Sequence, residues 1–264
     1  MPTASAGAGP RLDSIEIKVT FSDAGAAAAI GTLAPDHGGA RRRVYFCEAL
    51  ARSRVPGELP LSDAGVILRL RDGGGRGGDV TARLRPCRRS RIGERWLGFR
   101  GQGPDSFGLT GDWSGEHRTL SASFTTDCGS DAVEAVASGA QPPSWALSER
   151  QRAFLADCAD VRLGCGPLDV LGPVHSVRWD GVRLDHHEVN LESWTLDGPR
   201  PLRWLEVSER VPPEGAEVVQ ASLTALLRRQ GLDPGPEEGT KTRRVLEALS
   251  LGSRPPQRIL WSSS

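Results

Sequence analysis

No apolar run in this chain of 264 residues approaches the roughly 18–20 residues needed to cross a bilayer, so no membrane-spanning helix is expected. The first ten residues, Met1–Pro10, are rich in Ala, Gly and Ser but have neither a basic beginning nor an apolar stretch of signal-peptide length. They read as part of a disordered tail over 1–12, and the protein is expected in the cytoplasm. None of the five cysteines (Cys47, Cys87, Cys128, Cys158, Cys165) belongs to a Cys-x-x-Cys pair, and their number is odd. This speaks for reduced thiols and against a disulfide framework or a zinc site. The glycine run Gly73–Gly78 lacks the Lys-Ser/Thr ending of a P-loop and reads as a flexible hairpin. No internal repeat is visible. Net charge is zero, with 33 Lys/Arg against 33 Asp/Glu.

That neutrality hides an uneven distribution. Between Arg41 and Arg100 there are 15 Lys/Arg against 6 Asp/Glu, and between Asp185 and Glu217 there are 8 Asp/Glu against 3 Arg. Opposed basic and acidic segments can surround one site with both signs, as phosphate plus a divalent metal requires; nucleic acid would need only the basic half.

Strict alternation marks the strands. In Ser14–Phe21, Ile15, Ile17, Val19 and Phe21 oppose Ser14, Glu16, Lys18 and Thr20. Gly65–Asp72 puts Arg69 and Arg71 on one face, and Asp79–Arg85 does the same for Thr81, Arg83 and Arg85. Val174–Asp180 carries Ser176 and Arg178 together, and Asp180-Gly181 reads as a two-residue hairpin turn. Beyond it His186, Glu188, Asn190 and Glu192 share a face, as do Trp204, Glu206, Ser208 and Arg210. Weaker alternation predicts further strands at Arg42–Glu48, Arg95–Arg100 and Arg118–Thr126. Helices are expected at Ser130–Ser138, Ser148–Cys158 (with Ser148 and Gln151 as a capping box), Glu214–Gln230 and Thr240–Leu249.

The polar faces are not the mixed Lys/Glu/Ser/Thr of a solvated sheet. Arginine dominates two adjacent strands, carboxylates dominate the last two, and the opposite faces are aliphatic. This predicts an α+β protein: a closed antiparallel β-tunnel, polar inside, with helices covering its apolar exterior. Enclosed charges must be paired or must bind a charged ligand. The arginine strands carry no interleaved aromatic platform, so nucleic acid is not the expected partner. Because neighbouring strand residues point to opposite sides, only one of His186 and His187 could enter the tunnel, and the pair reads as surface histidines. Trp194 and Trp204 are expected to fill one end of the tunnel, and Arg41-Arg42-Arg43 reads as a solvated charge run.

These segments resemble the CYTH (triphosphate tunnel metalloenzyme) superfamily. Ser14-Ile-Glu16-Ile-Lys18 is similar to its opening Glu-x-Glu-x-Lys strand, with Ser for the first Glu. Val44-Tyr-Phe-Cys-Glu48 resembles its Tyr-Phe-Asp-Thr phrase, and Ala64-Gly-Val-Ile-Leu-Arg69-Leu-Arg71 its Ala-Gly-x-x-Leu-Arg-x-Arg segment. Val80-Thr-Ala-Arg83 is similar to Val-Thr-x-Lys. Leu171-Gly-Pro-Val174 with Arg178 resembles the later arginine strand. Trp204-Leu-Glu206-Val-Ser208 resembles the closing Glu-x-Glu, with Ser for the second Glu, and Gly239-Thr-Lys241-Thr242 the helix entry Ser-Lys-Thr.

The resemblance covers about Asp13 to Leu251 and implies one eight-stranded antiparallel tunnel domain over 13–252, followed by a loose tail over 253–264. Family members include inorganic triphosphatases, thiamine triphosphatases and one class of adenylate cyclases. By the same resemblance Lys18, Arg69, Arg71, Arg83, Arg178 and Lys241 would bind a small-molecule triphosphate, and Arg85, on the same face as Arg83 by alternation, is expected to join them. Glu16, Glu206 and Glu192 (where the family usually has Asp) would hold Mg²⁺ or Mn²⁺. Lys18 and Glu192, with Glu188 on the same face, are the candidate catalytic residues. The implied activity is metal-dependent hydrolysis of a triphosphate, inorganic or organic. Because Ser14 and Ser208 stand where carboxylates are expected, a non-catalytic polyphosphate or nucleotide binder, or a cyclase or lyase, remains the alternative.

Overall fold

In a computed structural model, residues 11–35, 38–55, 57–160, 166–198, 201–234 and 240–252 are described. Almost all of both expected tails, and Cys165, lie outside these. In chain order the elements begin with β1 (Ser14–Ser22), α1 (Asp23–Leu33), β2 (Ala40–Glu48), α2 (Pro60–Asp63), β3 (Val66–Asp72) and β4 (Gly78–Leu84). There follow α3 (Glu94–Gly98), β5 (Gly101–Gln102), β6 (Asp105–Ser114), β7 (His117–Asp127), α4 (Ser130–Ala137), α5 (Pro143–Ala146) and α6 (Glu149–Cys158). The chain then adds β8 (Asp169–Leu184), β9 (His187–Leu196), β10 (Leu202–Val211), α7 (Ala216–Arg229) and α8 (Lys241–Gly252).

The strands run in the order β1-β10-β9-β8-β2-β3-β4-β7-β6, and a parallel pairing of β1 with β6 closes the ring. In that seam Ser14–Lys18 lies beside Thr110–Ser114. The two-residue β5 hangs on β6 outside the ring. The barrel therefore has nine strands and one parallel seam, not the eight antiparallel strands expected.

Two sequence readings change in the structure. Asp105–Ser114 is rich in Gly and Ser, weak strand formers, yet its Phe107 and Leu109 alternate with Ser106, Thr110 and Asp112, and it pairs along its whole length with β7. Arg95–Arg100, expected as a strand, instead includes most of the short helix α3. Its Trp96 drops between Phe154 and Phe124, with ring centroids 5.5 and 5.7 Å away. Aromatic packing decided that segment.

The Asp180-Gly181 turn is also corrected. β8 runs on to Leu184 through a bulge between Trp179 and Val182, where the Gly181 N–H donates to Asn190 Oδ1 at 3.2 Å. The chain turns at Asp185-His186 instead, with Asp185 at φ 56°, a conformation its short side chain tolerates. All four expected helices are present, and Ser148 with Gln151 does form the capping box. The alanine-rich α1 is an addition to them; its Ala26, Ala29 and Leu33 pack on the apolar face of β1 and β10.

The barrel is apolar outside and polar inside. One outer cluster joins Leu68, Leu70, Val80, Ala82 and Phe124 to Val133 of α4 and Phe154 of α6. A second joins Ile15, Ile17, Leu191 and Val207 of the strands to Leu223 and Leu227 of α7. A third cluster lies inside the barrel at one end, where Phe46, Trp194 and Trp204 meet Val245 and Leu246 of α8. The two tryptophans thus fill the end of the tunnel, as expected, and α8 closes over them. No helix among the described residues is long and apolar enough to cross a membrane.

Candidate functional site

Strand register brings the polar residues into one ring. Arg69 stands opposite Thr81 on β4 and Phe46 on β2, and Arg71 opposite Asp79 and Val44. Arg178 is opposite Glu192, Glu192 opposite Glu206, and Glu206 opposite Thr20. Lys18 faces Ser208 across one seam and Glu16 faces Asp112 across the other. Arg85 lies just past the end of β4, with its guanidinium 3.8 Å from Asp112. Glu188 is the exception: it is exposed at the rim, opposite Arg183.

Asp112 organises the first half of the site. It accepts from Lys18 Nζ at 3.0 Å, from Arg83 at 2.7 Å and from the Ser121 hydroxyl. Lys18 also meets Glu16 at 3.0 Å. Burial alone would raise the Asp112 carboxyl, but Lys18 and Arg83 hold it well below the usual carboxylate range. Burial likewise opposes the Glu16 charge, and Lys18 and Arg83 again outweigh it.

Sequence reasoning missed Asp112, because it sits on a strand whose Gly and Ser content hides it. The alternation of Thr110 and Asp112 against Leu109 and Trp113 was the available signal. Arg42 escapes notice for another reason: it reads as part of a charge run, yet strand pairing sets it opposite Ser176. Burial lowers its pKa, and the nearby Arg71 and Arg178 lower it further.

The second half centres on Lys241, at the start of α8. Its Nζ lies 3.5 Å from Glu192 and 3.4 Å from Glu206, and 4.1 Å from the Trp194 ring centroid. Burial would raise the Glu192 carboxyl, but Lys241, Arg69 and Arg178 drive it far down.

Arg71 is paired with Asp79 at 2.9 Å and Arg178 with Asp180 at 2.6 Å, but Arg69 and Arg85 are less well compensated. Burial, then the neighbouring Arg71, pushes Arg69 down to about 9. Its Nε is buried with no hydrogen-bond partner among the described residues, as is Arg83 Nε. Burial and Arg83 also lower Arg85. A cavity of about 300 Å³ opens beside Arg71, lined also by Arg42, Asp79, Asp127 and the glycines between β3 and β4. An anion placed among Arg69 and Arg85 would favour the charged forms that burial and neighbouring arginines oppose.

Similar folds are known. A candidate adenylate cyclase from Bacillus halodurans superposes with a TM-score of 0.54 at 13% identity, covering 88% of this chain and 97% of that one. A candidate adenylyl cyclase from Hippeastrum, described as having a dominant triphosphatase activity, gives 0.55 at 15% identity, covering 92% and 98%. This chain shares its fold with both of these proteins. No protein-family model matches the sequence, and no curated protein matches it either. At these identities the likeness concerns the architecture of the barrel.

The carboxylates are the candidate metal ligands. Among the described residues no group of three or more His, Cys, Asp or Glu is arranged to hold an ion. Glu16 is engaged by Lys18, whereas Glu192 and Glu206 are cross-strand partners sharing one ammonium. That ammonium shows that the space between Glu192 and Glu206 suits a cation. Mg²⁺ is commonly held by one or two carboxylates completed by substrate phosphates, and this pair matches that habit.

Proposed function

We propose that this chain binds a triphosphate inside the tunnel and hydrolyses it with the help of Mg²⁺ or Mn²⁺. The observation that carries the reading is Arg69: an enclosed guanidinium, pressed by Arg71, whose Nε has no hydrogen-bond partner among the described residues. Arg69, Arg71, Arg83, Arg85 and Arg178 would take the phosphate oxygens, since guanidinium forks suit them and stay charged at neutral pH. Lys18 would add a point charge from β1 and Lys241 another from α8. Glu192 and Glu206 would hold the dication, which when bound neutralises phosphate oxygens and favours charge transfer to the leaving group. Phosphoryl transfer needs positioning and neutralisation above all, and the arginine ring supplies both.

A second reading rests on Ser14 and Ser208. Both are buried on the inner face where a carboxylate would add a metal ligand. A hydroxyl brings no charge to offset a dication, so the chain would bind polyphosphate without rapid turnover. Phosphate release from a panel of triphosphates, with and without Mn²⁺, separates the two. Hydrolysis predicts metal-dependent release; tight binding without release favours the sensor. If hydrolysis is merely weakened, Ser14→Glu with Ser208→Glu should raise turnover by about tenfold, equivalent to about 1.4 kcal/mol of barrier. Stronger metal binding with unchanged release would sink that explanation.

A further inference from the structure

His186 and His187 do not behave as residues on a flat strand. They sit at the β8–β9 turn, so both rings swing to the outer side of the barrel, toward α7. Their centroids are 4.2 Å apart. His186 Nε2 lies 3.0 Å from Ser222 Oγ and His187 Nε2 lies 3.1 Å from the same oxygen. Behind the rings, His187 Nδ1 is 2.6 Å from Glu209 Oε2 and His186 Nδ1 is 3.3 Å from Asp185 Oδ2. The cluster shares no side chain with the tunnel: Glu209 lies opposite Ile17, on the outward face of β10.

The proton count here depends on the tautomers the two rings adopt. A carboxylate behind Nδ1 takes that nitrogen as its donor and leaves Nε2 with a lone pair. Two Nε2 lone pairs then converge on one hydroxyl, which has a single proton to give. A proton on one Nε2 would relieve this convergence, and so would a cation that accepts both lone pairs. Carboxylates behind the distal nitrogens are the usual way proteins orient metal-binding imidazoles.

We propose that His186 and His187 chelate a late first-row transition-metal dication of the Zn²⁺ class, with Ser222 Oγ beside it and water completing the coordination. Glu209 and Asp185 orient the rings. The set offers two imidazoles, fewer than a closed structural zinc site uses, so an exchangeable ion is expected. The side chains of His186 and Asp185 are each 62% exposed, which opens the site to solvent, while the His187 side chain at 2% anchors it. A bound ion would tie the β8–β9 turn to α7.

The test uses the full chain without a histidine tag, stripped by a chelator and titrated with Zn²⁺. Because the tunnel carboxylates could also take metal, Glu192→Gln with Glu206→Gln serves as the reference. The expected result is Zn²⁺ uptake that survives in this reference and weakens at least about tenfold when His186→Gln or Glu209→Gln is added. His186 is exposed, so its variant should fold. In parallel, ¹⁵N spectra of the parent's five histidines should show Zn²⁺ moving the Nε2 signals of two of them, assigned through His186→Gln. Uptake that is unchanged by His186→Gln, or spectra in which neither ring responds, would overturn the proposal.

Discussion

Among single side chains, Arg69 bears most directly on the proposed triphosphate binding. Its charged form is what binds an anion, and in the free protein burial and Arg71 set its pKa at about 9. An anion stabilises the charged form and raises that value, so above about pH 9 binding must take up a proton. Triphosphate affinity from this residue is therefore complete below that pH and falls as pH rises through it, approaching about tenfold per unit. Titration calorimetry between about pH 7.5 and 10 should show the fall, and Arg69→Ala should both abolish its Arg69 component and cost about 1.5–3 kcal/mol of binding.

Asp112 gives a contrasting prediction. Asp112→Asn leaves Lys18 and Arg83 without their shared counter-ion, so the free protein should lose about 3–5 kcal/mol of stability. Triphosphate should restore more stability to this variant than to the parent, because it supplies the missing negative charge. Equal ligand-induced shifts in a thermal melt would contradict that role.

At the scale of the element, the sequence marks boundaries best where local chemistry sets them. Ser148 Oγ accepts from Gln151 N at 3.1 Å, and Gln151 Oε1 accepts from Ser148 N at 3.0 Å. Buried Gln151 also donates to Val80 O and Phe124 O, at 2.7 and 3.1 Å, fastening α6 to the barrel. Ser148→Ala should cost about 1 kcal/mol by chemical denaturation, with no change in triphosphate affinity, since the cap lies outside the tunnel. Where tertiary packing sets the boundary, the pattern misleads. Trp96 joins an aromatic cluster and makes a helix of an apparent strand, and the Asp180-Gly181 turn signal is absorbed as a bulge because β9 continues to pair beyond it.

For the whole molecule, closure matters most. The parallel β1–β6 seam turns a polar sheet face into an enclosed one, and enclosure is what opposes the charge of Arg69. A ligand that relieves that opposition must stabilise the fold: at a triphosphate concentration about 100-fold above Kd, the gain should be about 2.7 kcal/mol. A melting temperature that does not move with triphosphate would remove the case for a tunnel ligand.

The alternating strands determined by themselves that Glu16, Lys18, Arg69, Arg71, Arg83, Arg178, Glu192 and Glu206 occupy polar faces, because side-chain direction in a strand follows sequence parity. Outward apolar faces similarly required covering helices. Tertiary structure decided what parity cannot express: the ninth strand and its parallel seam, the arrival of Asp112 between Lys18 and Arg83, the entry of Arg42, and the turning of His186 and His187 onto Ser222. Each depends on which distant segments meet, and that is fixed by packing across the closed barrel rather than by the residues beside them in the chain.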